Sequence, residues 1–84
     1  MFINKANNGD NNICGRNVAR IRKQMKISQR ELADRLLLFG LDVDKNAFQR
    51  IEAGKRFVTD IELLALSKVL EISFDELLMN SGGI

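Results

Sequence analysis

Four residues of the kind that start helices, Ser28, Asp44, Thr59 and Ser73, each stand ahead of a short stretch rich in apolar residues. This punctuation leaves little room for anything except a bundle of short helices. After three of the four a glutamate follows three positions later (Glu31, Glu62 and Glu76), the capping-box pattern in which the two residues satisfy each other's free backbone amides. Apolar residues then recur at helical spacing: Leu32, Ala33, Leu36 and Leu37 after Ser28; Leu63, Leu66 and Leu70, sharing a face with Ser67, after Thr59; Leu77, Leu78 and Met79 after Ser73. Upstream, Val18, Ile21 and Met25 repeat in the same way, with Arg16, Arg20, Arg22 and Lys23 elsewhere on the cylinder. The spacing predicts helices over about 14 to 26, 29 to 39 (stopped at Gly40) and 45 to 53 (stopped at Gly54), a fourth opened by Thr59 and a short fifth opened by Ser73. With no strand pattern, the expected fold class is all-α with five helices. Isolated helices this short are marginal in water, so each must bury its apolar face against the others.

With 84 residues and 45% hydrophobic content, the chain has room for one small core, expected over residues 13 to 80. Residues 1 to 12 are rich in asparagine, carry Lys5 as their only cation and show no periodicity, which predicts a mobile arm; Ser81, Gly82 and Gly83 mark 81 to 84 as a tail. Cys14 is the only cysteine, so it pairs with nothing in the chain and reads as a small apolar filler; Met25 and Met79 read as core filler too. With no histidine, the usual zinc ligand sets cannot be assembled and a serine or cysteine nucleophile lacks its usual base, so neither a metal, a cofactor nor an enzyme is expected. Gly54, Lys55 and Arg56 lack the flanking glycines of a phosphate loop. The longest nearly apolar span, LLALSKVL, is too short to cross a bilayer, and no secretory signal opens the chain, so a soluble cytoplasmic protein is expected.

The net charge of +2 hides an asymmetry. Residues 15 to 56 hold eleven Lys and Arg against five Asp and Glu, a net +6, whereas residues 57 to 84 hold Lys68 against five carboxylates, a net −4. One half attracts a polyanion and the other repels it, which fixes an orientation as well as an affinity. The helix expected after Asp44 lies in the basic half and presents Lys45, Asn46, Gln49 and Arg50 on its polar face, the side-chain types that reach base edges and phosphates in a major groove.

The pair Ile21 and Arg22, the SQRELA run from Ser28 to Ala33, the RIEAGKR run from Arg50 to Arg56 and the LSKVLEISFDELL tail, in this order, resemble the helix-turn-helix family of phage repressor and Cro proteins. The resemblance spans about 15 to 79 and implies a repressor-like DNA-binding domain that regulates transcription as a sequence-specific binder of double-stranded DNA. It implies base reading by Lys45, Asn46 and Arg50 at the third helix, joined by Gln49 on the same polar face, and phosphate contacts from Gln29, Lys55 and Arg56. An interior ion pair maps onto Arg22 and Glu52, with an architectural role. Since a domain this small covers little DNA, a homodimer on a two-fold operator is expected.

One departure from the family pattern stands out. Asp34 to Val43 supplies ten residues between Ala33 and the Asp44 cap, where about five are usual. The extra length predicts a second helix longer by a turn and a longer connection to the third. It also brings Leu37, Leu38, Phe39 and Leu41, which are expected to cover the core, with a dimer or protein-partner surface as the alternative. Two other functions fit the same fold: an antitoxin-like or antagonist module that binds a protein through this segment, and a DNA binder without sequence preference drawn by charge alone.

Overall fold

The computed structural model describes residues 9–79, which form five helices: α1 (Cys14–Gln24), α2 (Gln29–Leu38), α3 (Lys45–Glu52), α4 (Asp60–Leu70) and α5 (Phe74–Leu78). The fold is all-α, and no strand occurs among the described residues. Helix α1 packs against α3, α4 and α5, while α2 packs against α3 and α4. The core is the meeting of their apolar stripes, with Val18, Leu32, Leu36, Phe48, Ile51, Leu66 and Leu77 all but fully buried. Phe48 is the largest of these, and burying an aromatic ring of that size contributes about 3 kcal/mol. It fixes which side of α3 faces inward.

The cap signals act as starts, but not all as full capping boxes. Ser28, Asp44, Thr59 and Ser73 each accept a hydrogen bond from the backbone N–H three residues on. Only Thr59 and Glu62 form the reciprocal pair. At Ser28 the Glu31 carboxylate turns to Arg35 one helical turn ahead, 2.8 Å away. Charge attraction to a neighbouring guanidinium wins over the return bond that the pattern predicts at this exposed site.

Helix α1 stops two residues short of its expected end because Lys26 takes a left-handed conformation (φ 61°), with its N–H bonded to the Lys23 carbonyl. Glu71 ends α4 in the same way (φ 56°). Both stops use a residue other than glycine, so neither is marked in the sequence.

Several expected core positions are not core. Met25, at the end of α1, is 37% exposed, and Met79 is 75% exposed where the chain leaves α5. At the end of α2, Leu37, Leu38 and Phe39 are 55, 89 and 50% exposed, and only Leu41 of that segment packs against the core. Leu36 and Val43 already fill the space beneath, so the additional apolar residues face solvent.

The first part of the expected arm, residues 1–8, lies outside the described residues, as do 80–84. From Asp10 to Asn12 the chain is bound to the body of the domain. The Asn11 backbone N–H donates to the Gly54 carbonyl at 2.7 Å, and its side-chain amide donates to the Lys55 carbonyl. Asn12 accepts from the Gly15 N–H, as a helix cap does, and donates to the carbonyls of Ile51 and Arg56. Gly15 is required at this crossing, since a Cβ there would collide with the Ile51 carbonyl oxygen.

Candidate nucleic-acid interface

Helix α3 divides into two sides. Phe48, Ile51 and Glu52 face the interior, while Lys45, Asn46, Gln49 and Arg50 are all exposed. Asn46 and Arg50 are four residues apart, one turn, and so lie on the same side; Lys45 and Gln49 form a second such pair. With its side chains an α-helix is about 10–12 Å across, which fits the width of a B-DNA major groove, and α3 is eight residues long. None of these four side chains takes part in an ion pair with another described residue. Lys45 and Arg50 therefore carry charges that are not already matched.

The far end of α3 is held from three directions. Glu52, 6% exposed at its side chain, receives Arg22 through two parallel bonds of 2.6 and 3.1 Å, and Arg22 also donates to the Ile27 carbonyl. The Gln29 side-chain amide donates to the same Glu52 carboxylate at 2.8 Å. Glu52 thus links the body of α1, the first residue of α2 and the end of α3. Asn12 supplies the third direction, from the N-terminal side of α1. Because both ions are nearly buried and their polar atoms paired, this network fixes α3 against α1 and α2 rather than meeting solvent.

Beyond α3, Gly54 takes a positive φ of 77° that turns the chain away. The Lys55 N–H then donates to the Arg50 carbonyl, and the Lys55 carbonyl is held by Asn11, which leaves the Lys55 side chain exposed on a fixed backbone. Arg56 is placed differently. Its guanidinium meets the Glu62 carboxylate at 2.8 and 3.0 Å and donates to the Phe57 carbonyl. The bond from Arg56 and those of the Thr59 cap hold the Glu62 carboxyl below the usual carboxylate range, against the opposing effect of burial. The pair clamps the loop onto the start of α4.

Of the site residues expected from sequence, Lys45, Asn46, Gln49, Arg50 and Lys55 therefore share one exposed surface around α3. Gln29 and Arg56 border it with part of their hydrogen-bonding capacity committed to carboxylates. Arg22 and Glu52 pair with each other as a buried unit. The contacts of Asn12 and the pairing of Arg56 with Glu62 were not expected from the sequence. The signal for Asn12 was its position three residues before Gly15 at the start of α1, and the signal for Arg56 with Glu62 was the capping box that placed Glu62 beside the incoming loop.

Cys14 lies 1% exposed at the start of α1, and burial pushes its thiol up to about 11, so it stays protonated at neutral pH and packs as a small apolar side chain. Among the described residues, no cluster of three or more Cys, Asp or Glu side chains is placed to hold a metal, and no helix is long and apolar enough to cross a membrane.

The helix-turn-helix family model matches residues 18–77, from the middle of α1 to the middle of α5. The chain belongs to this family, in its Cro and phage-repressor branch. The match takes in the buried Arg22 and Glu52 pair, the connection from α2 to α3 and the exposed side of α3. It supports a regulator of transcription that binds DNA. No curated protein matches the sequence.

Proposed function

We propose that this helix-turn-helix protein is a cytoplasmic, sequence-specific regulator that inserts α3 into the major groove of duplex DNA. The observation that carries this reading is the division of α3, with Lys45, Asn46, Gln49 and Arg50 exposed together while Phe48, Ile51 and Glu52 anchor the opposite side. Lysine and arginine match the O6 and N7 acceptors of guanine, and asparagine matches N6 and N7 of adenine, so a half-site containing both bases suits this surface. Lys55 supplies the main phosphate contact. Gln29 and Arg56 add to it through N–H groups not engaged by Glu52 and Glu62, Gln29 having one amide hydrogen to spare and Arg56 two guanidinium hydrogens.

The protein acts as a binding module and not as an enzyme, and as a homodimer. One module of this size covers too little duplex for tight specific binding, and two-fold pairing doubles the read sequence. Exposed Ile61 and Leu64, three residues apart on α4, and Phe74 at the start of α5 leave apolar surface uncovered in the monomer.

Selection from a random duplex pool tests this. A two-fold sequence whose half-sites contain guanine and adenine is expected. Recovery of unrelated duplexes with equal affinity would instead identify a binder drawn by charge alone, and no recovery would favour a module that binds protein.

A further inference from the structure

The connection between α2 and α3 holds a cleft of about 460 Å³ that the DNA reading leaves unused. Its floor is apolar, from Ala33, Leu37 and Val43. Leu38, next to Leu37 in the chain, is 89% exposed, and Phe39 after it is half exposed. Together they make the only place among the described residues where three consecutive large apolar side chains face water. The rim has a charge opposite to its surroundings. Asp34, Asp42 and Asp44 stand there against Arg30 and Lys45, inside the stretch that is basic as a whole. Asp44 is occupied in capping α3, but Asp34 and Asp42 are exposed and take part in no ion pair among the described residues. Phosphates are disfavoured at such a rim, so the exposed apolar shoulder is not an extension of the DNA surface.

We infer that this cleft is a docking site for a protein segment that presents apolar side chains flanked by lysine or arginine, and that its occupant displaces DNA. The apolar floor, with exposed Leu38 next to Leu37 in the chain, supplies contact area, and the Asp34 and Asp42 carboxylates select the flanking cations. Displacement follows from the lining. Lys45 and Asn46 form one wall of the cleft and are also the first turn of the reading helix, so a segment seated there covers them. The inference rests on the DNA reading proposed above for its consequence, although not for the docking itself. The partner is thus an antagonist of DNA binding, acting by competition at α3 with no second conformation of the domain required.

The test uses the intact chain and a phage-displayed library of random 16-residue peptides, with enriched peptides then synthesised. The expected peptides combine apolar residues with Lys or Arg. Their affinity falls about tenfold or more with Leu38→Ser and also with Asp42→Asn, while both variants keep wild-type circular dichroism and bind duplex at least as tightly as the wild type. The apparent dissociation constant for the selected duplex rises in proportion to peptide concentration, as competition requires. The inference is overturned if no peptide is enriched, if the enriched peptides are acidic, if the two substitutions leave their binding unchanged, or if peptide and duplex bind together. It is overturned equally if Leu38→Ser splits a dimer in sedimentation, for then a second copy of this chain covers the patch. Duplex binding measured without peptide reports separately on the DNA reading.

Discussion

The two ends of α3 are built on opposite principles. At its C-terminal end, Ile51, Glu52, Gly54, Lys55 and Arg56 are tied by side chains or backbone to Asn11 and Asn12, to Arg22, to Gln29 and to Glu62. At its N-terminal end the Asp44 cap and the buried Val43 hold the chain, and the segment leading there exposes Leu37, Leu38 and Phe39, with Asp34 and Asp42 in no ion pair among the described residues. Polar contacts inside the fold are concentrated at one end of the helix, and the other end leaves apolar and acidic side chains exposed.

Breaking the fixed end has the largest expected effect. Glu52→Gln removes the charge that Arg22 needs in a nearly buried site and is expected to lower stability by about 3 kcal/mol in chemical denaturation. Asp34→Asn at the open end is expected to stay within about 0.5 kcal/mol. Equal effects from the two would erase the contrast. Next comes Asn12→Ala, which removes the acceptor of the Gly15 N–H in the first turn of α1 and two bonds to α3 and its loop; a loss of about 2 kcal/mol is expected from thermal melts. A free arm at residues 10 to 12 would instead show no change.

The Arg56 and Glu62 clamp has a smaller effect with a pH signature. Because the Glu62 carboxyl is held below its ordinary range in the folded state, its stabilisation is fully present above that range and is lost as pH falls through the lowered value. Glu62→Gln is therefore expected to cost about 1 kcal/mol at neutral pH, with its stability curve converging on that of the wild type in acid. Parallel curves down to low pH would mean that the pair is solvated. The smallest effect separates two adjacent cations. Lys55→Ala is expected to weaken all duplexes alike and to reduce the slope of log affinity against log salt by about 0.9, whereas Arg56→Ala changes it less because Glu62 already balances that charge.

Much of this architecture was legible in the sequence, and the reasons differ by region. Helix starts at Ser28, Asp44, Thr59 and Ser73 were readable because a cap depends on one side chain and a backbone amide three residues on. The ends at Lys26 and Glu71 were not, since a left-handed residue other than glycine carries no mark. The polar face of Lys45, Asn46, Gln49 and Arg50 was readable because these residues recur at helical spacing, and the structure leaves all four exposed. The anchoring by Asn12 and the commitment of Arg56 to Glu62 depend on contacts between residues far apart or in a loop, where no period exists to read. Leu37, Leu38 and Phe39 misled for a different reason. Apolar character predicts burial only while the core has space, and Leu36, Val43 and Phe48 had filled it.

The central claim is that the exposed side of α3 reads bases while its other side holds the helix in place. The most direct test is a base-by-base affinity profile of Asn46→Ala and Arg50→Ala against the selected operator. Each variant is expected to melt like the wild type and to lose preference at its own base pair by roughly 1 to 3 kcal/mol, with the adenine position relaxed by the first and a guanine position by the second. Variants that keep the wild-type preference at every position while binding all sequences more weakly would contradict the account, because α3 would then contact DNA without reading it.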